Sequence, residues 1–306
     1  MASPMRDSHL YSVYFAPRGK ARMINLGWML SQRHLSPFDL LIGFIGEPGS
    51  GKSSLVRGMF PGLELASDDE GVNVRPLPLL NRDGRGFRDS HTYHLDVRFE
   101  MAFTQVYDLA QAVRTAVEEG KRVVVEHFEL LYPYLGINAQ VLVGVGEEVI
   151  LTRPTIFGPE PQDVANIVFS SSCYRKMAHT AENLTELCIT KAGYPTDYHH
   201  GDVHHGFILE YDQHPGFSIP EIEAAVKEII AADLPVAYKD EGHVYIGEHI
   251  HPCTGPRLHV KSTGEIENFS LLPQFQYDPI QHQYLLVGLI GERQRDNIRD
   301  LNRIVF

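Results

Sequence analysis

Long hydrophobic runs are missing from this sequence. No apolar stretch approaches the roughly 18–20 residues that span a bilayer, which argues against a membrane helix. Cysteine is scarce. The three present, Cys173, Cys188 and Cys253, are odd in number and lack Cys-x-x-Cys spacing, so a disulfide framework is not expected and reduced thiols are. Positive charge is in deficit, with 27 Lys and Arg against 39 Asp and Glu and a formal net charge of −12. Such a surface repels phosphate backbones, and no dense Lys/Arg cluster offsets it, so non-specific nucleic-acid binding is disfavoured. The opening "MASPMRDSHLYSVYF" has no basic segment followed by an apolar block, so no signal peptide is expected and the cytoplasm is the expected location. Internal repeats and low-complexity segments are also missing.

What is present is the composition of an ordinary globular protein, 43% hydrophobic and 22% charged over 306 residues. That length accommodates two modest domains or one large one. Sixteen histidines are more than usual and concentrate between His179 and His259.

The N-terminal "LYSVYFAPRG" alternates like a strand and ends in a Pro/Gly turn. "KARMINLGWMLSQRHL" has helical spacing. "DLLIGFIGE" has the continuous apolar character of a buried strand, and "KSSLVRGMF" should open the helix that follows. After a polar, Gly- and Arg-rich connection over 68–90, "RFEMAFTQVYDLAQAVRTAVEEG" predicts one long amphipathic helix ending at Gly120. "KRVVVEHFELL" predicts a second buried strand, and "AQVLVGVGEEVILT" one or two more. Alternating strands and helices indicate an α/β domain with a parallel sheet. The Pro/Gly-rich "RPTIFGPEP" suggests a boundary, dividing the chain into 1–158 and 159–306. Beyond it, a helix over 160–193, the strand "HHGFILEYD", the helix "SIPEIEAAVKEIIAAD", the strands of "LPVAYKDEGHVYIGEHI" and "QHQYLLVGLIG", and a charged helix "ERQRDNIRDLNRI" predict an α+β domain.

Gly46, Glu47, Pro48, Gly49, Ser50, Gly51, Lys52 and Ser53 satisfy G-x-x-x-x-G-K-[ST] between a strand and a helix, with Ser54 next in line. Glycines let successive N–H groups curl inward towards phosphate oxygens, and the helix N-terminus adds its positive end. Lys52 would reach the β/γ-phosphates, and the Ser53 hydroxyl would join a Mg²⁺ ion. Glu126, directly after three valines with Glu129 nearby, stands where a second metal-side carboxylate is expected. Nucleotide binding is the best-supported function in the sequence.

With the GEPGSGKSS loop, the SDD that follows, the "HTYHLDVRFE" run and the VVVEHFE strand, this half resembles the nucleoside-kinase-like group of P-loop kinases, of which uridine kinase is a member. The resemblance implies ATP and Mg²⁺ as cofactors, Asp68 or Asp69 as the base at the phosphoryl acceptor, and Glu126 at the metal. Arg75, Arg82, Arg85 and Arg88 would then belong to a phosphate-covering segment; a solvated loop explains them equally well.

In the second half, His179 and Asn183 are four apart and share a helix face. With Cys253 and His259 from a distant loop, His179 makes a possible three-ligand Zn²⁺ site with an open position, suited to activating water. The alternative is a set of polar hydrogen-bonding residues around a cleft. The order "HTAEN", "HHGFILEYD", "CTGPRLHVKSTGEIENFSLL" resembles the second additional, editing-type domain of threonyl- and alanyl-tRNA synthetases and of free-standing trans-editing proteins. Those families carry H-x-x-x-H and C-x-G-P-H or C-x-G-T-H. Here the second histidine is Asn183, and Arg257 and Leu258 separate the proline from His259. An amide is a poor zinc ligand, leaving one of His200, His204, His205 or His251 to complete the set.

Three functions follow. An ATP-dependent kinase or ATPase would have a second domain that recognises an aminoacyl or similar small ligand. An aminoacyl-tRNA deacylase acting on Ser-, Ala- or Thr-charged tRNA would bind ATP as a regulator. A nucleotide-gated binding module would catalyse nothing. The acidic balance weighs against a large tRNA contact, and the complete Lys52–Ser53 loop favours phosphate chemistry. The acceptor, the base of the nucleotide and the oligomeric state are not encoded in any motif.

Overall fold

A computed structural model describes residues 11–66, 77–80, 91–255 and 257–292. Asp68, Asp69, Arg75, Arg82, Arg85 and Arg88 lie outside the described residues, as does the charged helix expected after Glu292. The chain forms two compact units, one made of Met1–Ala16 with Lys20–Ser170 and the other of Pro17–Gly19 with Ser171–Phe306.

The first unit is built on a six-stranded sheet. Its strands are β1 (Tyr11–Phe15), β2 (Leu41–Gly46), β3 (Thr92–Asp96), β4 (Arg122–Glu126), β5 (Val141–Val145) and β6 (Glu148–Thr152), in the spatial order β1-β6-β5-β2-β4-β3. β3, β4, β2 and β5 run parallel. β6 turns back antiparallel to β5, and β1 pairs antiparallel with β6 from Tyr11 opposite Thr152 to Phe15 opposite Glu148. The sheet is therefore mixed, because the two-residue Gly146–Glu147 connection is long enough for a hairpin and far too short for a parallel crossover.

All six residues of β2 are buried, as the uninterrupted LIGFIG requires of a strand covered on both faces. Ile42, Phe44, Val124, Val143 and Val145 share a core with residues of α1 (Lys20–His34) and α2 (Lys52–Met59). Leu41, Ile45, Val123, Val125 and Leu142 belong to the other layer. There they meet α4 (Val106–Glu118), α5 (Phe128–Leu135) and the start of α6 (Pro161–Lys191).

Two stretches differ from their expected form. The long helix before Gly120 is broken into α3 (Val97–Glu100) and α4. Asp96 caps α3 through Phe99 N, and the buried carboxyl-bearing Glu100 ends it, its carbonyl accepting from Phe103 N and Thr104 N. Gln105 is then extended before α4 restarts. "VVVEHFELL" is a strand for only its first half. His127 adopts a left-handed backbone at φ 59°, which ends β4 and starts α5.

The unit division falls at Ser170/Ser171, inside α6, and not at the Pro/Gly-rich break, which only introduces that helix. Val164, Ala165 and Val168 bury in the first unit's core, whereas Met177, Ala178, Ala181 and Leu184 bury in the second's.

The second unit holds two antiparallel sheets. β7 (His199–Val203), β8 (Gly206–Tyr211), β12 (Ser270–Leu271), β13 (Gln276–Asp278) and β14 (Gln283–Leu289) form one, ordered β12-β14-β8-β7 with β13 also on β14. β9 (Val236–Asp240), β10 (His243–Ile246) and β11 (His249–Pro252) form the other. Phe207, Leu209 and Tyr211, alternate residues of β8, pack with Ile219, Ile222 and Val226 of α7 (Ile219–Ala231) and with the second half of α6. None of the three cysteines is in a disulfide; Cys173 is exposed, Cys188 and Cys253 buried. No helix among the described residues is long and apolar enough to cross a membrane.

Candidate functional site

In the first unit the candidate site is the turn from β2 into α2. Gly46 ends the strand, and a Cβ there would lie 2.6 Å from Val145 O and 2.9 Å from Ser50 Oγ. Gly49 and Gly51 have φ of 76° and 91°, a backbone region that L side chains rarely adopt. Ser50 N donates to Glu47 O, and Gly51 caps α2. Lys52 is buried and folds back over the turn, its Nζ donating to Gly46 O (3.1 Å) and Glu47 O (2.9 Å). Ser54 follows on the first turn of α2.

Parallel pairing brings the end of β4 to the same edge. Phe44 pairs with Glu126, and Asp96 of β3 pairs with Glu126 in turn. Ser53 Oγ donates to Glu126 Oε2 at 3.3 Å. His94 of β3, inside the HTYHLDVRFE run but given no role by the sequence, lies 3.1 Å from Glu126 Oε1 through Nε2. Its Nδ1 accepts from Ala66 N, so the proton sits on Nε2 and points at the carboxylate. Burial pushes the Glu126 carboxyl up, but the hydrogen bond from His94, then the Lys52 charge and the Ser53 hydrogen bond, outweigh it and hold the pKa below the ordinary value. Glu129 faces His127 Nδ1 at 3.3 Å instead.

In the second unit, α6 presents a buried polar face. His179, Glu182, Asn183 and Glu186 fall at i, i+3, i+4 and i+7, and all four are buried, the spacing of one helix stripe. Cys253, just beyond β11, and His259 approach the first turn of that stripe. Cys253 Sγ lies 3.4 Å from His179 Nε2 and 3.7 Å from His259 Nε2. The two imidazoles stack with centroids 4.4 Å apart. His179 Nδ1 donates to Leu258 O at 3.1 Å, which turns the Nε2 lone pair inward. Burial, then the charges of His259, Arg18 and Arg175, holds His179 well below its ordinary pKa and therefore neutral. Burial also pushes the Cys253 thiol up to about 11. Asn183 Nδ2 donates to His259 Nε2 at 2.8 Å, so the amide is hydrogen-bonded to this group.

The remaining histidines go elsewhere. His205 stacks on Tyr174 and His204 on His205. His200 and His251 meet the second turn of the stripe, at Glu182 and Glu186. Glu182 also receives Arg18 Nε at 2.9 Å; Arg18 Nη1 and Nη2 donate to Gly206 O and Gly201 O. Burial raises the Glu182 carboxyl, but Arg18 and His200 more than offset it and the net shift is downward. His179, Cys253 and His259 could hold a metal ion, their ligand atoms all lying within 4.8 Å of one another.

No family model matches this chain, and no curated protein sequence matches it. Among solved structures, the serine palmitoyltransferase of Sphingomonas wittichii aligns at 13% identity over 95% of this chain and 70% of that one, with a TM-score of 0.26. A likeness that weak carries no argument about fold or function.

Proposed function

We propose that the protein binds ATP at the Gly46–Ser53 turn and carries out Mg²⁺-dependent phosphoryl transfer or ATP hydrolysis, coupled to a small or aminoacyl ligand in the second unit. The observation that carries this reading is the convergence of Lys52, Ser53 and Glu126 on one turn, two of them on α2 and the third at the end of the strand paired with β2. The residues suit the groups they would hold. Gly49 and Gly51 supply left-handed positions that let backbone N–H groups face an anion. Ser53 and an ionised Glu126 offer only oxygens, the donors Mg²⁺ prefers.

In this reading Lys52 leaves the carbonyls of Gly46 and Glu47 and turns its ammonium to the β/γ-phosphates. Ser53 and Glu126 hold the metal, which when bound neutralises charge building on the transferred phosphoryl oxygens. His94 keeps Glu126 ionised and fixes the orientation of its carboxylate. Asp68 or Asp69 would take the proton from the acceptor hydroxyl.

The polar stripe of α6 supports the second unit as the ligand site, and its cation there would be zinc. A tetrahedral zinc with ordinary bond lengths separates a thiolate sulfur from an imidazole nitrogen by about 3.6 Å, against 3.4 and 3.7 Å here. Zinc analysis of freshly purified protein should find bound zinc that falls by one equivalent in Cys253→Ala. The deacylase reading draws on the same three residues, but Asn183 weighs against it. For the nucleotide, Lys52→Ala should weaken ATP binding by about tenfold or more, the worth of a charged hydrogen bond, read by isothermal titration with Mg-ATP. Unchanged affinity would remove the assignment.

A further inference from the structure

The second turn of the α6 stripe is a separate centre. Glu182 and Glu186 lie one helical turn apart, on the same face as His179 but beyond it. Each has one oxygen already held from behind. Arg18 Nε donates to Glu182 Oε2 at 2.9 Å, and His251 Nε2 contacts Glu186 Oε2 at 3.1 Å. The two Oε1 atoms are thereby turned towards His200, whose Nδ1 is 3.1 Å from Glu182 Oε1 and 3.4 Å from Glu186 Oε1.

One imidazole N–H cannot serve two carboxylates at once. Glu186 Oε1 is buried and makes no hydrogen bond, although its side chain is only 9% exposed. The charge is also unequal. Arg18 pairs with Glu182 and with Asp202, whereas Glu186 faces the imidazoles of His200 and His251 and the Tyr198 hydroxyl and, among the described residues, no lysine or arginine. An ionised carboxylate buried without a full counter-charge is costly. Carboxylates oriented from behind by a second set of donors, with their free oxygens converging on an imidazole nitrogen, make the arrangement seen around protein-bound metals.

We infer that Glu182, Glu186 and His200 form a binding site for a first-row divalent cation, distinct from the Cys253 group. Two carboxylate oxygens and one imidazole nitrogen, all within 4.8 Å of one another, suit Mn²⁺, Fe²⁺, Co²⁺ or Zn²⁺ better than a site containing thiolate suits the harder members of that series. The cation supplies the positive charge that Glu186 lacks and takes the place of the shared proton. His200, with 37% of its side chain exposed, gives the ion a path from solvent. Arg18 and His251 act as positioning residues, since they touch the carboxylates and not the ion.

The test uses the full chain, stripped with a chelator and titrated with Mn²⁺ in the absence of nucleotide, with free Mn²⁺ followed by electron paramagnetic resonance. One saturable equivalent is expected. It should persist in Cys253→Ser and weaken at least tenfold in both Glu186→Gln and His200→Ala. Circular dichroism checks the fold; if Glu186→Gln unfolds, the partly exposed His200→Ala decides. The inference is overturned by the lack of saturable binding, by undiminished binding in His200→Ala, or by loss of the site in Cys253→Ser.

Discussion

His94 shows how one side chain sets another's charge. Because Ala66 N occupies its Nδ1, His94 can only donate from Nε2, and Glu126 is the acceptor. The carboxyl titrates below its ordinary value of 4.5 in the folded protein. Its stabilising contribution is therefore fully present above about pH 4.5 and is lost as the pH falls through the depressed folded value. In chelator-containing buffer, the melting temperature of the wild type should fall steeply below pH 4.5. Glu126→Gln should flatten that slope, and an unchanged slope would show that the pairing contributes nothing. Glu126 was legible in the sequence because three valines announce the strand end. His94 was not, because its partner lies 32 positions away and a histidine inside a five-residue strand resembles any other. The thiols differ as sharply. Burial pushes Cys188 up to about 11, so with Ellman's reagent at pH 8 the exposed Cys173 should react first, and Cys173→Ser should remove the fast phase.

At the scale of elements, the candidate phosphate loop depends on the contact between α1 and α2. Gly27 and Gly58 sit at the crossing. A Cβ on Gly27 would fall 2.3 Å from Leu55 O, and one on Gly58 would fall 2.0 Å from Ile24 O. Alanine ordinarily stabilises a helix by about 1 kcal/mol over glycine, but here it would force the helices apart. Gly58→Ala is expected to lower stability by about 2 kcal/mol or more, seen as a lower urea midpoint; a raised midpoint would refute the close crossing. Continuous apolar character revealed β2, and period-3.6 spacing revealed α1 and α6. The break between α3 and α4 was hidden because Met101, Ala102 and Phe103 are compatible with a helix; the Asp96 cap starts α3, and the interruption is completed only by the extended backbone of Gln105. α5 was hidden because VVVEHFELL stays apolar past the point where the His127 backbone reverses.

For the whole molecule, the decisive side chain is Arg18, a lone arginine after a proline that no motif marks. It belongs to the second unit although the chain on either side of it belongs to the first. Removing one partner of a buried pair leaves an uncompensated charge and costs about 3–5 kcal/mol. Arg18→Gln should therefore destabilise the second unit by that order, detected as faster hydrogen exchange along the second half of α6. A change below about 1 kcal/mol would contradict the pairing. The histidine-rich half was legible as one centre at His179, Cys253 and His259. Its second centre was not, because Glu182 and Glu186 read as ordinary helix charges until Arg18, His200 and His251 are brought to them from three other places in the chain.

The assignment of Pro17–Gly19 to the second unit has a consequence for synthesis. The bonds from Arg18 to Glu182, Gly201 and Gly206 join residues 164, 183 and 188 positions apart. At ribosomal speeds of about 5–20 residues per second, the arginine waits on the order of ten to forty seconds for its last partner to be made. During that interval β1 and α1 can already begin to assemble, with the tripeptide between them still hydrated. Completion of the second unit then draws in a segment synthesised well before its partners, so Arg18 emerges ahead of all three and is buried only after the last of them.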